Sequence, residues 1–232
     1  MTDVTINFDG EELASPWFPV AGNGPAILIF PTVMGVSDLE AEFAARLNAL
    51  GYHAMIGDLF GTATRGREIQ AMFAEMGRLK GARAMLRRRL EALFQAMLVQ
   101  PGVESGKVAV IGYCFGGLCA LDLARSGAQL AATACFHGLF DLPGLDPQPI
   151  KGKVVAYHGW DDPMVTPDAV VALAAELTQA GADWQIHAYG HVGHGFTNPH
   201  ASQIGIAGVA YSELAARRSW ASLELLLAEA FA

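Results

Sequence analysis

The sequence predicts an α/β protein, with a mostly parallel sheet covered by helices on both faces. Short uninterrupted apolar runs at 26–30 and 108–111 have the pattern of strands buried on both faces. Such runs alternate along the chain with helix-length segments, which is the rhythm of right-handed βαβ units. The 232 residues are 52% hydrophobic and 16% charged, which suits one dense domain over 1–232. A chain of this length buries about 70–75% of its unfolded surface, so it needs no disulfide or metal staple.

Residues 4–8 alternate apolar and polar side chains, as a half-exposed strand does. Asp9-Gly10 is a tight hairpin turn into a second strand over 13–19, which Pro16 and Pro19 confine to a sheet edge. Asn23-Gly24-Pro25 turns the chain into the buried strand 26–30. Residues 31–36 form a loop at that strand's C-terminal end, where open α/β sheets bind ligands. Ser37 or Asp38 caps a helix over 39–50, and Gly51 stops it. A short strand at 53–56 leads into a second such loop, 57–61.

Residues 68–98 are helical in pattern, with a break at 77–81. Leu86, Leu90, Leu93 and Phe94 mark the buried side. Arg78, Lys80, Arg83, Arg87, Arg88 and Arg89 read as a solvated face rather than a nucleic-acid surface. Strands at 108–113, 130–136, 153–158 and 184–189 follow. Helices lie between them at 118–124 and from Pro167 to about 180, the latter ended by Gly181. A glycine-rich loop at 190–199 and a long helix over 209–231 close the chain.

The chemistry gathers at Gly112-Tyr113-Cys114-Phe115-Gly116, where a strand ends, a reactive side chain follows and a helix begins. This is the Gly-x-nucleophile-x-Gly elbow with cysteine in the nucleophile's place. Its glycines leave room for a strained turn, and the helix N-terminus favours a thiolate or an oxyanion. Asp162 and His194 fall in later post-strand loops, so chain order is nucleophile, acid, base. That is the order of α/β hydrolases. The neighbouring Asp161 competes for the acid role and reads as a loop residue. His191, His194 and His200 lie close together, but their spacing lacks a paired carboxylate or cysteine motif, so no metal site is predicted. His137 and His158 read as loop or core histidines with hydrogen-bond partners, and His137 as a possible pocket border.

Three stretches together resemble the dienelactone hydrolase family: Ile111-Gly112-Tyr113-Cys114-Phe115-Gly116-Gly117, Gly159-x-x-Asp162-x-x-Val165, and Gly193-His194-Gly195-Phe196-Thr197-Asn198-Pro199. The resemblance covers nearly the whole chain. It implies an α/β-hydrolase fold, with Cys114 as nucleophile, His194 as base and Asp162 as its orienting acid. It further implies an oxyanion hole from the backbone N–H groups of Val33 and Phe115. Where the family carries a glutamate beside the resting thiol, this chain has Thr32. Where it carries an arginine for the substrate carboxylate, this chain has Asn198.

The activity expected is cysteine-dependent hydrolysis of carboxylic esters or lactones through a thioacyl-enzyme, with no cofactor. Thr32, Met34, Phe60, Tyr113, Trp160 and Phe196 are the candidate substrate-binding wall. The same residues admit two other readings. One is a degenerate hydrolase that binds a ligand without turnover. The other is a redox-responsive protein that uses Cys114 as its sensor. A net charge of −8 argues against nucleic acid as partner. The three cysteines form no disulfide framework, no apolar run reaches the ~18 residues of a membrane span, and no signal peptide is evident. A cytoplasmic protein with a small-molecule substrate is expected.

Overall fold

The computed structural model describes residues 2–232. Eight strands form one sheet in the order β1-β2-β4-β3-β5-β6-β7-β8. They are β1 (Thr2–Phe8), β2 (Glu11–Phe18), β3 (Gly24–Phe30), β4 (His53–Ile56), β5 (Val103–Tyr113), β6 (Ala132–Phe136), β7 (Lys153–Gly159) and β8 (Asp183–Tyr189). From β4 to β8 all pairings are parallel, and β1 and β2 add an antiparallel hairpin at one side.

The helices are α1 (Asp38–Ala49), α2 (Ile69–Gly81), α3 (Arg83–Leu98), α4 (Phe115–Arg125), α5 (Pro167–Gln179) and α6 (Glu213–Ala230). Strand alternation divides the core in two. Ala26, Leu28 and Phe30 of β3 point to the side covered by α2, α3, α4 and α5, and Ile27 and Ile29 to the side covered by α1 and α6. Every buried strand thus needs apolar residues at both parities, which explains the continuous runs.

Three expectations about the elements change. β2 is not an edge strand: β1 lies outside it and β4 inside. Pro16 is tolerated because the β2–β4 ladder takes in only Trp17 and Phe18 and stops before the proline. The helical break falls at Ala82, and Gly77 and Gly81 stay within α2. The last helix begins at Glu213, capped by the Ser212 side chain. Before it, the chain turns at Gly205 and Gly208, both at positive φ, and Val209 makes a parallel bridge to His194.

The basic residues of α2 and α3 are not simply solvated. Arg89 is 1% exposed; it donates to the Leu59 carbonyl at 2.8 Å and pairs with Glu11. Arg83 grips Asp122 of α4 through two bonds of 2.7 and 2.8 Å. Arg88 reaches Asp9 in the β1–β2 turn. This face ties the helices to the sheet's edge and to α4. No helix among the described residues is long and apolar enough to cross a membrane.

Candidate active site

β5 delivers Cys114 to the C-terminal rim of the sheet, and α4 starts at the next residue. Cys114 sits at φ 56° and ψ −117°, a conformation that costs a non-glycine residue of order 1–3 kcal/mol. The flanking glycines make it possible. A Cβ on Gly112 would lie 1.9 Å from the Gly116 carbonyl oxygen, and one on Gly116 would lie 2.1 Å from that of Phe30. The turn is held from outside, since the Cys114 N–H donates to the Phe136 carbonyl at 3.0 Å. Cys114 is partly exposed, whereas Cys119 and Cys135 are buried. Burial pushes the Cys119 thiol well up and that of Cys135 to about 12, so neither is a thiolate near neutrality.

Asp162 and His194 come from the loops after β7 and β8. Those loops touch because Gly159 and Gly193 carry no side chain: a Cβ on Gly159 would lie 2.4 Å from the Gly193 carbonyl oxygen, and one on Gly193 would lie 2.0 Å from that of Gly208. His194 is tied down by its N–H to Gly208 O at 2.8 Å. Its Nδ1 lies 2.7 Å from Asp162 Oδ2, and the other carboxylate oxygen accepts the Met164 N–H at 2.8 Å. Asp162 is buried, so it stays paired; Asp161 is exposed and lies 3.7 Å from the open ring of His191.

With Nδ1 committed to the carboxylate, His194 Nε2 is the free ring atom, buried and without a completed hydrogen bond. Burial lowers the proton affinity of the imidazole. The neighbouring Cys114 and Asp162 more than offset it and raise the ring to about 10. Cys114 and Asp162 are thus the two groups that hold a proton on the ring.

A sequence profile described as the dienelactone hydrolase family matches residues 13–231. The chain belongs to that family. Among its relatives is an uncharacterized protein of Caenorhabditis elegans, 34% identical over 150 residues, covering 63% of this chain and 95% of that protein. The carboxymethylenebutenolidase of Pseudomonas putida is 25% identical over 204 residues, covering 79% of this chain and 80% of the enzyme. The crystal structure of a dienelactone hydrolase-like promiscuous phosphotriesterase from metagenomic libraries superposes with a TM-score of 0.93 at 34% identity, over 99% of this chain and 98% of that one. Solved α/β hydrolases share the fold. This protein is a dienelactone hydrolase-like hydrolase with an α/β-hydrolase fold.

Val33 lies in the loop after β3, and Phe115 is the first residue of α4. The two segments meet, since a Cβ on Gly116 would lie 2.5 Å from the Pro31 carbonyl oxygen. Of the candidate wall residues, Met34 and Trp160 are exposed on rim loops, and Thr32 is half-buried. The three others are buried. Tyr113 is stacked between Phe43 and Phe136 in the core, because the residue before the nucleophile still follows strand alternation. Phe196 is fully buried against His137 and Tyr189. Phe60 is buried against Phe115. Asn198 spends its side chain on its own turn, accepting the His200 N–H at 2.8 Å. Among the described residues no group of three histidines, cysteines or carboxylates is placed to hold a metal.

One residue near this site escapes sequence reasoning. Glu40 is fully buried on α1; one carboxylate oxygen accepts the Thr32 N–H at 3.2 Å and the other the Ser37 hydroxyl. It clamps the loop that carries Val33, and burial pushes its carboxyl up. The Ser37-x-x-Glu40 spacing of a capping box was the available signal. His158 is buried with both ring nitrogens unpartnered, so it lacks the partners expected for it. His137, by contrast, is buried with Nε2 on the Thr197 hydroxyl at 2.8 Å, as a core histidine with a partner.

Proposed function

We propose that this hydrolase cleaves carboxylic esters or lactones through Cys114, His194 and Asp162. The observation that carries the reading is the His194 ring, fixed by Asp162 at 2.7 Å with Nε2 left open beside an elbow cysteine. His194 Nε2 takes the thiol proton, and the sulfur attacks the ester carbonyl. The Val33 and Phe115 amides receive the oxyanion. The C–O bond breaks as His194 returns its proton to the leaving alkoxide, which leaves a thioacyl-enzyme. Water, deprotonated by the same nitrogen, then attacks the thioester, and the acid and free thiol separate. Asp162 holds the Nδ1–H tautomer throughout. The steps call on side chains and backbone alone, with no cofactor.

Neutral esters fit better than dienelactone itself, because Thr32 brings no carboxylate to the sulfur and Asn198 is occupied by its own turn. A second reading, phosphotriester cleavage by the same sulfur, is favoured by the likeness to the promiscuous phosphotriesterase along almost the full chain. We place the protein in the cytosol as a single domain over 1–232, since its three cysteines are unpaired and two are buried.

A panel of p-nitrophenyl esters, lactones including cis-dienelactone, and a phosphotriester, run on wild type and Cys114→Ala, tests this. The wild type turns over short esters in preference to cis-dienelactone and is inactivated by iodoacetamide. Cys114→Ala folds and is inactive. Full activity in Cys114→Ala rejects the mechanism, and a panel with no turnover supports a ligand-binding protein instead. A reversible Cys114–Cys119 disulfide after peroxide, found by mass spectrometry, would support the redox reading; burial of Cys119 argues against it.

A further inference from the structure

His137 follows β6 and holds φ 37°, a conformation that glycine adopts freely and a histidine does not. It is 1% exposed. A glycine would make the same turn without strain, so the backbone does not explain the imidazole. Its contacts do. The turn it belongs to holds the nucleophile's backbone from both sides: the Cys114 N–H donates to Phe136 O at 3.0 Å, and the Leu139 N–H donates to Cys114 O at 3.4 Å. Its ring meets three residues of the β8 loop. It packs edge-on against His194 and against Phe196, each with ring centroids 5.1 Å apart, and its Nε2 lies 2.8 Å from the Thr197 hydroxyl.

One side chain therefore spans the two segments whose separation decides whether imidazole meets sulfur. Bare glycines keep this turn against the elbow, since a Cβ on Gly117 would lie 2.7 Å from Gly138 Cα. We propose that His137 is a positioning residue for hydrolysis: its imidazole fastens the His194 loop to the turn that grips the Cys114 backbone, and so sets the approach of Nε2 to the sulfur. The inference rests on the assignment of Cys114 and His194 above. His137 is suited to the task because burial, with His194 and His158 beside it, keeps its ring uncharged. A cation there would oppose the proton that His194 takes up. The other ionisable groups facing the pair are Cys114 and Asp162.

The test uses His137→Asn, in which asparagine tolerates positive φ but is too short to reach Thr197, and Thr197→Val, which removes only the hydrogen-bonding hydroxyl. In His137→Asn, kcat for a short ester falls about tenfold or more with KM little changed, the signature of lost positioning. The His194 imidazole titration, followed by NMR, moves down from about 10 toward its ordinary 6.5 as the sulfur's influence is lost. Thr197→Val shifts both in the same direction and by less. A folded His137→Asn with unaltered kcat and titration overturns the proposal, whatever its Tm. If that variant does not fold, an unaltered kcat and titration in Thr197→Val overturn it. The titration reads the Cys114–His194 pair whether or not the pair carries turnover. Failure of the nucleophile assignment, seen as activity in Cys114→Ala, is thereby distinguished from failure of this proposal.

Discussion

Asp161 and Asp162 are adjacent and chemically identical, and their surroundings assign them different work. Asp162 is buried, with one oxygen on His194 and the other on the Met164 amide. Asp161 stands in solvent beside the fully exposed ring of His191, where a pair at 3.7 Å is worth little. Asp162→Asn is expected to lower kcat by roughly 10²–10⁴, because the amide favours the wrong tautomer of the base. Asp161→Asn is expected to remain within about twofold of wild type. Steady-state kinetics on both variants checks the pair, and a larger loss for Asp161→Asn would reverse the assignment. The motif spacing already pointed to Asp162. Burial supplies the physical reason, which spacing does not contain.

At the level of elements, the elbow was the most legible feature. A strand, a glycine-flanked reactive residue and a helix are all local, so they show in a single stretch of sequence. The partners of the glycines are not local: Gly116 approaches the Phe30 carbonyl of β3, a residue far back in the chain. Gly116→Ala is expected to cost more than about 4 kcal/mol or to prevent folding, since backbone and not a flexible side chain must move. Thermal unfolding by circular dichroism checks this, and a Tm near wild type would contradict it. The α2–α3 face misleads for a related reason. Arginines at helical spacing look solvated until the elements carrying Glu11, Asp122 and the Leu59 carbonyl are brought against them. β2 misleads likewise: a proline suggests an edge, but the β2–β4 ladder ends before Pro16.

At the scale of the whole molecule, the His194 site links activity to stability. The ring rises from 6.5 to about 10 on folding, despite burial, through Cys114 and Asp162. A raised folded value means that this contribution is fully present below about pH 6.5 and is lost as pH climbs through about 10. The Tm of wild type is therefore expected to fall across that window. In Cys114→Ala, which lacks the strongest raising influence, the fall is smaller. Equal slopes for the two proteins would show that the sulfur does not hold the proton on His194.

Local periodicity sufficed for the alternation of strands and helices, and local motifs for the elbow, the two later loops and the family likeness. These depend on neighbours within a few residues, and the chain carries them wherever it goes. Only the packed structure decided that β2 lies inside the sheet, that the basic helix face is tied to acids and carbonyls, that Tyr113 and Phe196 belong to the core, and that Glu40 and His137 are buried where they are. Each depends on contacts between distant segments. Sheet order, strand register and the close approach of loops across bare glycines create those contacts, and none of these is written in the spacing of residues along the chain.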